Sequence, residues 1–409
     1  MTGALTVSVV IVSRYRPDLL RRCLIGLSQV NYDPFEVVVV ADPASCSGLR
    51  SLPQAAHAKI ISFDEANISA ARNIGIKAAA GEIIAFIDDD SVPEPTWLMF
   101  LVAPFRQTDV AACGGFVRGR NGISFQHRAR WVDRAGRTGP LSVDERRATV
   151  LAPTRDRAIK TEGTNMAIRR AVLAELGGFD PAFRFYLDET DLNLRLAKRG
   201  LRTAIAPLAQ VHHSLGASAI RRRDRTPTNL YEIGASWAVF LRKHCGKRGS
   251  DAAWQNVRVE QRKRVLTRMV QGYLEPRDVR HLMRSLVQGY EQRRVAPTGP
   301  HSDLAQPAED FRPYCVPMSH KHVVVSGRFW SRRKLRLRAR ELAATRPVTL
   351  IRLSPTALFH KVCFVTEGYW EQTGGLFGKS DRDQPFFRWQ TFNRRVSREI
   401  ERVRKVRGL

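Results

Sequence analysis

The first part of the sequence alternates between strand and helix patterns, and this alternation restricts the fold more than any other feature. Val7 to Val12 is an almost unbroken apolar, β-branched run, which is typical of a strand buried on both faces. Val37 to Val40, Ile60 to Ile61 and Ile83 to Ile87 predict three further strands, and helical patterns separate several of them. Strands that alternate with helices predict an α/β fold with a parallel sheet and right-handed crossovers.

The middle of the chain has weaker patterns. Residues 115–160 are rich in Gly, Arg and Pro, and they predict loops around a few short strands. Thr164 to Leu176 and Asp191 to Arg199 have helical patterns that stop at glycines, and Arg202 to Ala206 predicts a short strand.

From about residue 225 the pattern changes to charged helices. Leu230 to His244 and Val257 to Arg294 both have helical patterns, so we expect residues 246–295 to form a charged helical segment. Residues 296–313 are rich in Pro and Gly and predict a linker. Residues 314–409 then predict a small, basic α/β domain that ends in a helix from Asn393 to Arg407.

The charge and the cysteines limit the class of protein. The 409 residues carry a formal net charge of +28, which attracts nucleotides, nucleic acid or an anionic membrane surface, unless the basic surface serves solubility alone. The six cysteines include no C-x-x-C pair, which argues against a disulfide framework or a zinc site. With no signal peptide pattern and no apolar run of about 18 residues, we expect a cytoplasmic protein, with any membrane contact peripheral and on the inner face.

Three aspartates follow the strand predicted at Ile83 to Ile87. Asp88, Asp89 and Asp90 would lie at the carboxyl end of a buried strand, where ligands bind in parallel α/β sheets. Clustered carboxylates repel one another and are costly to desolvate, and a divalent cation relieves both effects. Mg²⁺ or Mn²⁺ held there also binds phosphate oxygens and neutralises a leaving diphosphate. A solvated acidic turn is the alternative.

Two further residues of interest precede these aspartates. Asp42 follows the second predicted strand, at the same sheet edge, and can accept hydrogen bonds from a nucleobase or ribose; the alternative is a turn-forming Asp before Pro43. Asn67 is expected to cap the helix that follows it, which would point Arg72 towards bound phosphates. An ordinary surface arginine is the alternative for Arg72.

Acidic residues also gather at the start of a later helix. The helix dipole favours the ionised form of Asp188, Glu189 and Asp191, and a general base must be ionised before it accepts a proton from a sugar hydroxyl. Capping of the helix explains one of these residues but not three. Further on, His212 or His213 could complete a metal site or contact a diphosphate.

In their order and spacing, these motifs resemble the family 2 inverting glycosyltransferases of the GT-A fold. The resemblance covers residues 1–245 and implies one domain with a mixed, mostly parallel sheet between helices, whereas the last 160 residues or so lie outside it. It rests on R-x-R-P-D-L-L, V-V-V-A-D-P-A-S, N-I-S-A-A-R-N, F-I-D-D-D-S-V-P-E-P-T-W-L, E-G-T-N-M-A-I-R-R, G-G-F-D, F-Y-L-D-E-T-D-L-N-L-R-L and H-H-S-L-G-A-S.

The resemblance implies roles on the donor side. Asp42 would hold the nucleobase, and Arg72 would belong to the nucleotide-sugar site. Asp88 and Asp90 would be the D-x-D pair on the metal and the diphosphate, and His213 fits the late histidine of the family better than His212. Three consecutive residues would line the sugar and acceptor side: Gly163, Thr164 and Asn165.

The resemblance also assigns the general base. The family usually has Glu-Asp where this chain has Asp188-Glu189, so the base maps onto Glu189, with Asp188 and Asp191 as alternatives. The family often has a second acidic residue or Asn where this chain has Pro43, which leaves the choice of nucleobase open.

The implied reaction is the transfer of a sugar from a nucleotide-diphosphate sugar to an acceptor hydroxyl in a single inverting displacement. The implied cofactor is Mn²⁺ or Mg²⁺, and the acceptor is a glycan or lipid-linked molecule of cell-surface polysaccharide or glycolipid biosynthesis. The basic helix Asn393 to Arg407 could lie on an anionic membrane, or else pack on its own domain.

Two other classes of function compete with an active transferase. A basic nucleic-acid-binding protein lacks support because the sequence has no zinc-finger, RNA-recognition or helix-turn-helix pattern, and we expect no nucleic acid partner. A scaffold built on an inactive transferase-like domain is disfavoured because Asp88, Asp90 and Glu189 are all present.

Overall fold

The computed structural model describes residues 4–214, 216, 220–222, 224–295 and 303–409. Leu215, Ala217 and Ser218 of the H-H-S-L-G-A-S motif lie outside the described residues, as does the first part of the predicted linker, 296–302. In the described parts of the chain, the strands form one sheet of ten, one of three and one of four.

The centre of the large sheet is made of the strands predicted from the apolar runs. These strands are β1 (Val7–Ser13), β2 (Phe35–Ala41), β3 (Lys59–Ser62) and β4 (Ile83–Asp88). β1 lies between β2 and β4, β3 extends the sheet beyond β2, and all four strands are parallel. β1, β2 and most of β4 are buried on both faces, which explains their continuous apolar runs. The predicted parallel sheet is confirmed.

Beyond β4 the strands run in both directions. Nine of them lie in the middle of the chain: β5 (Ser91–Pro93), β6 (Val110–Arg118), β7 (Phe125–His127), β8 (Arg130–Asp133), β9 (Thr138–Pro140), β10 (Thr149–Leu151), β11 (Arg157–Lys160), β12 (Met166–Arg169) and β13 (Arg202–His213). The large sheet has the order β10-β13-β6-β12-β4-β1-β2-β3, with β5 on β13 and β7 on β6, and β11-β8-β9 form the small sheet. The mixed sheet that the resemblance implied is therefore confirmed.

Helices lie beside this sheet. They are α1 (Pro17–Leu27), α2 (Pro43–Leu49), α3 (Ile68–Ala78), α4 (Trp97–Val102), α5 (Arg170–Leu176) and α6 (Asp188–Lys198). Asn67 caps α3 as predicted, because its Oδ1 accepts a hydrogen bond from the amide of Ala70 at 3.1 Å. The sequence did not predict α2, which begins at Pro43.

One prediction for the middle of the chain is wrong, and another is confirmed but too short. Thr164 to Leu176 is not one helix, because Met166–Arg169 forms β12, which pairs with β4 on one side and β6 on the other. The backbone partners on both sides outweigh the helical composition. The short strand predicted at Arg202 to Ala206 continues to His213 as β13, with an irregularity in its pairing with β6 between Ala206 and Gln210.

Three helices follow the large sheet: α7 (Tyr231–His244), α8 (Lys247–Val270) and α9 (Pro276–Arg293). The single helical pattern predicted from Val257 to Arg294 is thus two helices, separated by a turn in which Gly272 has a φ of 79°. α7 and α9 approach each other closely at Gly234, where there is no room for a side chain. A Cβ at this position would lie 1.9 Å from the Leu286 carbonyl oxygen.

The C-terminal part forms the four-stranded sheet and two helices. The elements are β14 (Val323–Arg328), α10 (Arg332–Ala343), β15 (Val348–Ser354), β16 (Lys361–Phe364), β17 (Trp370–Gly375) and α11 (Phe392–Arg407). The sheet order is β14-β15-β17-β16. Val396, Val403 and Val406 of α11 are buried, so the apolar side of this helix packs inside the protein, and the idea that it lies on a membrane is wrong.

The end of α11 contacts the large sheet. Arg407 is buried, its Nε donates to Glu94 Oε2 at 3.0 Å, and the hydroxyl of Thr96 donates to the Val406 carbonyl at 2.8 Å. None of the helices in the described ranges is both long and apolar enough to cross a membrane. The division of the chain at residues 245, 295 and 313 stays a prediction.

Candidate active site

The candidate site lies where the parallel strands of the large sheet end. β2 and β4 both pair with β1, and in register Val12 lies opposite Val40 on one side and Asp88 on the other. Asp88 is the last residue of β4, and Asp42 follows β2 directly. Asp42 and Asp88 are therefore at the same edge of the sheet, as the sequence predicted.

Asp42 caps α2. Its Oδ1 accepts a hydrogen bond from the amide of Ser45 at 3.0 Å, and its Oδ2 accepts one from the amide of Tyr15 at 2.6 Å. Although burial opposes ionisation, these hydrogen bonds lower the pKa of Asp42. The side chain is thus an ionised acceptor that also holds Tyr15, which has a φ of 56° and an exposed ring, beside the strand end.

The predicted metal ligands lie together. β13 is antiparallel to β5 and places His213 opposite Ser91, next to the aspartates. His213 Nε2 is 3.0 Å from Asp90 Oδ1, and one ligand atom each from Asp88, Asp90 and His213 lie within 4.8 Å of one another. Burial disfavours ionisation of Asp90, but the His213 imidazole and Arg16 lower its pKa below the ordinary range.

The middle aspartate faces the other way. Asp89 is fully buried, accepts a hydrogen bond from the Ser13 hydroxyl at 2.6 Å and pairs with Arg16 Nε at 3.1 Å. Burial raises the pKa of Asp89 to about 7. Arg16, which the sequence analysis missed, also lies 3.6 Å from Asp90 and so links the two carboxylates.

The two adjacent histidines have different surroundings. His212 Nε2 lies 2.8 Å from Glu94 Oε1, and Glu94 is the carboxylate that also pairs with Arg407. His213 is the one beside Asp90, and its Nδ1 lies 3.2 Å from Gln126 Oε1 of β7. The preference for His213 over His212 as the candidate ligand thus agrees with the geometry.

Asp191 is held inside the protein. It is fully buried, and its oxygens lie 2.8 Å from each of three cationic or polar groups: Arg195 Nε, Lys243 Nζ and His244 Nε2. Burial opposes ionisation, but the hydrogen bond from His244 and the charge of Arg195 lower its pKa. Asp191 is therefore buried and already paired, which favours Glu189 over it, and its place as an alternative base stays a prediction.

Asp188 and Glu189 begin α6 and have different partners. Glu189 Oε1 accepts a hydrogen bond from Lys160 Nζ at 3.0 Å, and Asp188 pairs with the Arg72 guanidinium. The Glu189 side chain is 17% exposed and that of Asp188 only 3%. Burial raises the pKa of Asp188 to about 7, whereas the Lys160 ammonium overcomes burial and lowers that of Glu189 to about 2. Of the two carboxyl groups, Glu189 ionises first and is the more accessible.

Arg72 connects the two groups of carboxylates. One nitrogen pairs with Asp188, and Nη2 lies 3.3 Å from Asp88 Oδ1. The guanidinium lies over the rings of Phe86 and Phe179, and the residue is buried. Arg72 is therefore not a surface arginine. It lies between Asp88 and Asp188 and positions both carboxylates.

The three residues expected on the sugar side are placed differently. The Gly163 carbonyl oxygen lies 3.4 Å from Arg72 Nη2, and the Thr164 hydroxyl is 2.7 Å from that of Ser91. Asn165 is fully buried; its amide nitrogen donates to the carbonyls of Phe116 and Ala209, and its oxygen accepts from the indole of Trp97. Asn165 thus supports the sheet from inside, and its place on the sugar side stays a prediction.

Several charged residues of the site were missed. Lys160 ends β11 and also lies 3.6 Å from Glu162 Oε2, and Glu162 pairs with Arg130. His127 Nδ1 is 3.8 Å from Glu162 Oε1. Glu162 is the first residue of the E-G-T-N motif and Lys160 lies two residues before it, which was the available sequence indication. His127 and Arg130 lie in the short strands β7 and β8, which carry no motif.

Comparison with known proteins gives a family and several relatives. A family model described as "Glycosyltransferase like family 2" matches residues 4–229. The chain is 27% identical over 260 residues to the pre-mycofactocin glycosyltransferase of Mycobacterium tuberculosis, covering 58% of this chain and 52% of that one. It is 30% identical over 118 residues to the glucosyl-dolichyl phosphate glucuronosyltransferase of Haloferax volcanii, covering 28% of this chain and 34% of that one.

Solved structures are similar to part of this chain. The mannosyltransferase of Pyrobaculum calidifontis in complex with GDP-Man and Mn²⁺ covers 72% of this chain and 88% of that one, with 16% sequence identity and a TM-score of 0.44. The chain spans about half the length, or less, of the two curated relatives named above. Because the family model covers more than half of the 409 residues, the chain belongs to the glycosyltransferase-like family 2.

Proposed function

We propose that the chain transfers a sugar from a nucleotide-diphosphate sugar to an acceptor hydroxyl, with inversion and with a divalent cation as cofactor. One observation carries this proposal. Three candidate metal ligands, Asp88, Asp90 and His213, lie together, and Arg72 joins Asp88 to Asp188, the residue before the base candidate Glu189 at the start of α6. Donor activation and proton removal can therefore occur side by side.

The residues present fit a divalent cation. Two carboxylates and one imidazole within 4.8 Å offer the oxygen and nitrogen donors that Mn²⁺ accepts, and Mg²⁺ suits the carboxylates. When bound, such a cation neutralises the charge that develops on a leaving diphosphate. Gln126, 3.2 Å from His213 Nδ1, orients the imidazole so that Nε2 faces Asp90.

Glu189 is proposed as the general base. Lys160 fixes the position of its carboxylate and keeps it ionised, so that it can accept the proton of an acceptor hydroxyl. Asp188 is better placed to hold Arg72 than to reach a substrate, because its side chain is almost fully buried. A hydroxyl that attacks the anomeric carbon opposite the diphosphate inverts the configuration at that carbon in one step.

The donor side is proposed to use Asp42 for the nucleobase or ribose and Gly163 and Thr164 near the sugar. On the acceptor side, the partly exposed rings of Phe185 and Tyr186 directly precede the start of α6 and offer apolar surface for a sugar ring. A glycan or lipid-linked acceptor of cell-surface polysaccharide or glycolipid biosynthesis stays a prediction, as does contact with an anionic membrane.

The test is release of nucleoside diphosphate from a panel of UDP-, GDP- and dTDP-sugars, with Mn²⁺ or with EDTA. Asp90→Ala should abolish release and cation-assisted nucleotide binding, because it removes one of three ligands. Glu189→Gln should keep donor binding while transfer is lost, and Asp251→Asn, an exposed carboxylate on α8, is the matched control. Transfer that persists in Glu189→Gln, or turnover that EDTA leaves unchanged, would contradict the proposal.

A further inference from the structure

The C-terminal sheet presents an exposed apolar surface that the transfer reaction does not need. We call it the aromatic face and define it as Leu358, Phe359, Phe386, Phe387 and Trp389, which are 64%, 54%, 71%, 54% and 78% exposed. Single exposed apolar residues are ordinary, but adjacent large ones mark a surface that binds something. The aromatic face lies outside residues 4–229, which the family model covers.

The rings of the aromatic face contact one another. Phe359 and Phe386 are stacked with their centroids 6.0 Å apart, and Phe387 and Trp389 are 6.3 Å apart. The half-buried Phe377 lies below, with its ring 4.9 Å from Trp389 and nearly parallel to it, and 5.4 Å from Phe387. The rings, from two separate loops, therefore form two contacting groups, Phe359 with Phe386 and Phe387 with Trp389, which meet at the adjacent residues Phe386 and Phe387.

Backbone hydrogen bonds hold the two loops in place. The amide of Arg388 donates to the Phe377 carbonyl at 3.0 Å, and the amide of Phe377 donates to the Thr356 carbonyl at 3.0 Å. A Cβ on Gly378 would lie 2.0 Å from the Leu358 carbonyl oxygen, so the loops also touch at a glycine. The rings are exposed because a fixed framework presents them, and they are not the ends of loose loops.

Basic residues lie beside the aromatic face. Lys379 Nζ lies 4.9 Å from the centroid of Phe359 and 4.4 Å from that of Phe386. Arg382 and Arg388 are exposed beside the rings in sequence, against the exposed carboxylates Asp381 and Asp383. Over residues 314–409 the chain has 21 Lys and Arg against seven Asp and Glu, so the whole C-terminal part is strongly positive.

We propose that the aromatic face docks on the surface of an anionic lipid bilayer. Phenylalanine and tryptophan side chains favour the boundary between headgroups and acyl chains, and lysine and arginine around them bind anionic headgroups. A single-stranded nucleic acid is less well suited to this surface, because Leu358, 64% exposed, offers no ring on which a base could stack. Lys379 also lies over the rings of Phe359 and Phe386, so the face combines aliphatic and aromatic side chains with a cation, as an interfacial membrane surface does.

This inference goes beyond the proposed transfer reaction and is tested without any sugar donor. The full chain is floated with vesicles of phosphatidylcholine alone, and of phosphatidylcholine with phosphatidylglycerol, at low and high salt. We expect binding only to the anionic vesicles, weakened by salt, with a blue shift of tryptophan emission. The double variant Phe386→Ser, Trp389→Ser should bind about tenfold more weakly or worse, because interfacial binding scales with the apolar area inserted.

Two controls keep the result interpretable. Tyr273→Ser removes an aromatic ring that is exposed in the turn between α8 and α9, and it should bind vesicles like the unchanged chain. The double variant should keep the thermal unfolding midpoint of the unchanged chain, because its two side chains are mostly exposed.

Three results would overturn the inference. One is equal vesicle binding by the double variant and the unchanged chain, and another is no binding to anionic vesicles at low salt. The third is a different occupant of the aromatic face. This occupant could be a second copy of the chain, in a dimer that the double substitution dissociates, or single-stranded DNA that binds more tightly than vesicles and no longer binds the double variant.

Discussion

Replacement of Lys160 by methionine tests whether its ammonium keeps the proposed base ionised. Lys160 Nζ lies 3.0 Å from Glu189 Oε1, is buried and also contacts Glu162 at 3.6 Å. Methionine has a similar length and no charge. The substitution should remove the main attraction that opposes burial of the Glu189 carboxylate.

The size of the effect follows from the pKa of Glu189. Burial opposes ionisation, but Lys160, with smaller contributions from Arg72 and Asp188, lowers the pKa from the ordinary 4.5 to about 2, a net shift of roughly 3 kcal/mol in favour of the ionised form. In Lys160→Met, burial remains and the ammonium does not, so the pKa should return to about 4.5 or higher. Because the folded-state pKa is depressed, the stability that it contributes is present above the unfolded-state pKa and is lost as the pH falls through about 2.

The assay is the dependence of kcat/KM on pH, which reports ionisations of the free enzyme. The acid limb should move upward by about two pH units in Lys160→Met, whereas Lys160→Arg should leave it near its original position. Urea unfolding at neutral pH shows whether the variant is folded. An acid limb that does not move in a folded Lys160→Met variant would refute both the assignment of Glu189 and the role of Lys160.

Two further predictions concern buried polar groups. Arg407→Met leaves the buried Glu94 carboxylate without its cation and should lower the free energy of unfolding by about 3–5 kcal/mol in urea titrations. Arg404→Gln, an exposed arginine on the same helix, should leave stability unchanged, and equal stability of both variants would contradict the prediction. Asn165→Ala leaves the Trp97 indole and two carbonyls unpaired and should cost roughly 2–4 kcal/mol, with an unchanged KM for the donor in the folded fraction. A stable Asn165→Ala variant that has lost donor affinity would instead place Asn165 on the sugar side.

The central strands could be predicted because their burial on both faces leaves a direct trace in the sequence. β12 could not, because Met166–Arg169 has no strand pattern of its own and is a strand only through β4 and β6, which lie far away in the sequence. α2 was missed for a different reason, because Asp followed by Pro suits a turn as well as the first residues of a helix, and the structure shows a helix that begins at Pro43. For β12, local composition fails because the backbone partners come from distant segments.

The site shows the same limit. Asp42 and Asp88 could be predicted to share one sheet edge because parallel strands end there, whereas the place of His213 beside Asp90 was implied only by the family resemblance. Asp191 looked like Asp188 and Glu189 in sequence, and only Lys243 and His244, more than 50 residues further on, show that it is buried. Lys160 carried no motif of its own, although it sets the charge state of Glu189.

Arg72 has a consequence for how the sequence can change over time. One planar guanidinium binds a carboxylate from the end of β4 and another from the start of α6, and it thereby sets the distance between two segments that are 100 residues apart. Lysine has a single point charge and cannot fork between two such partners in the same way. Residues 72, 88 and 188 are therefore expected to be substituted together or not at all. A substitution at residue 72 alone should change the distance between the end of β4 and the start of α6.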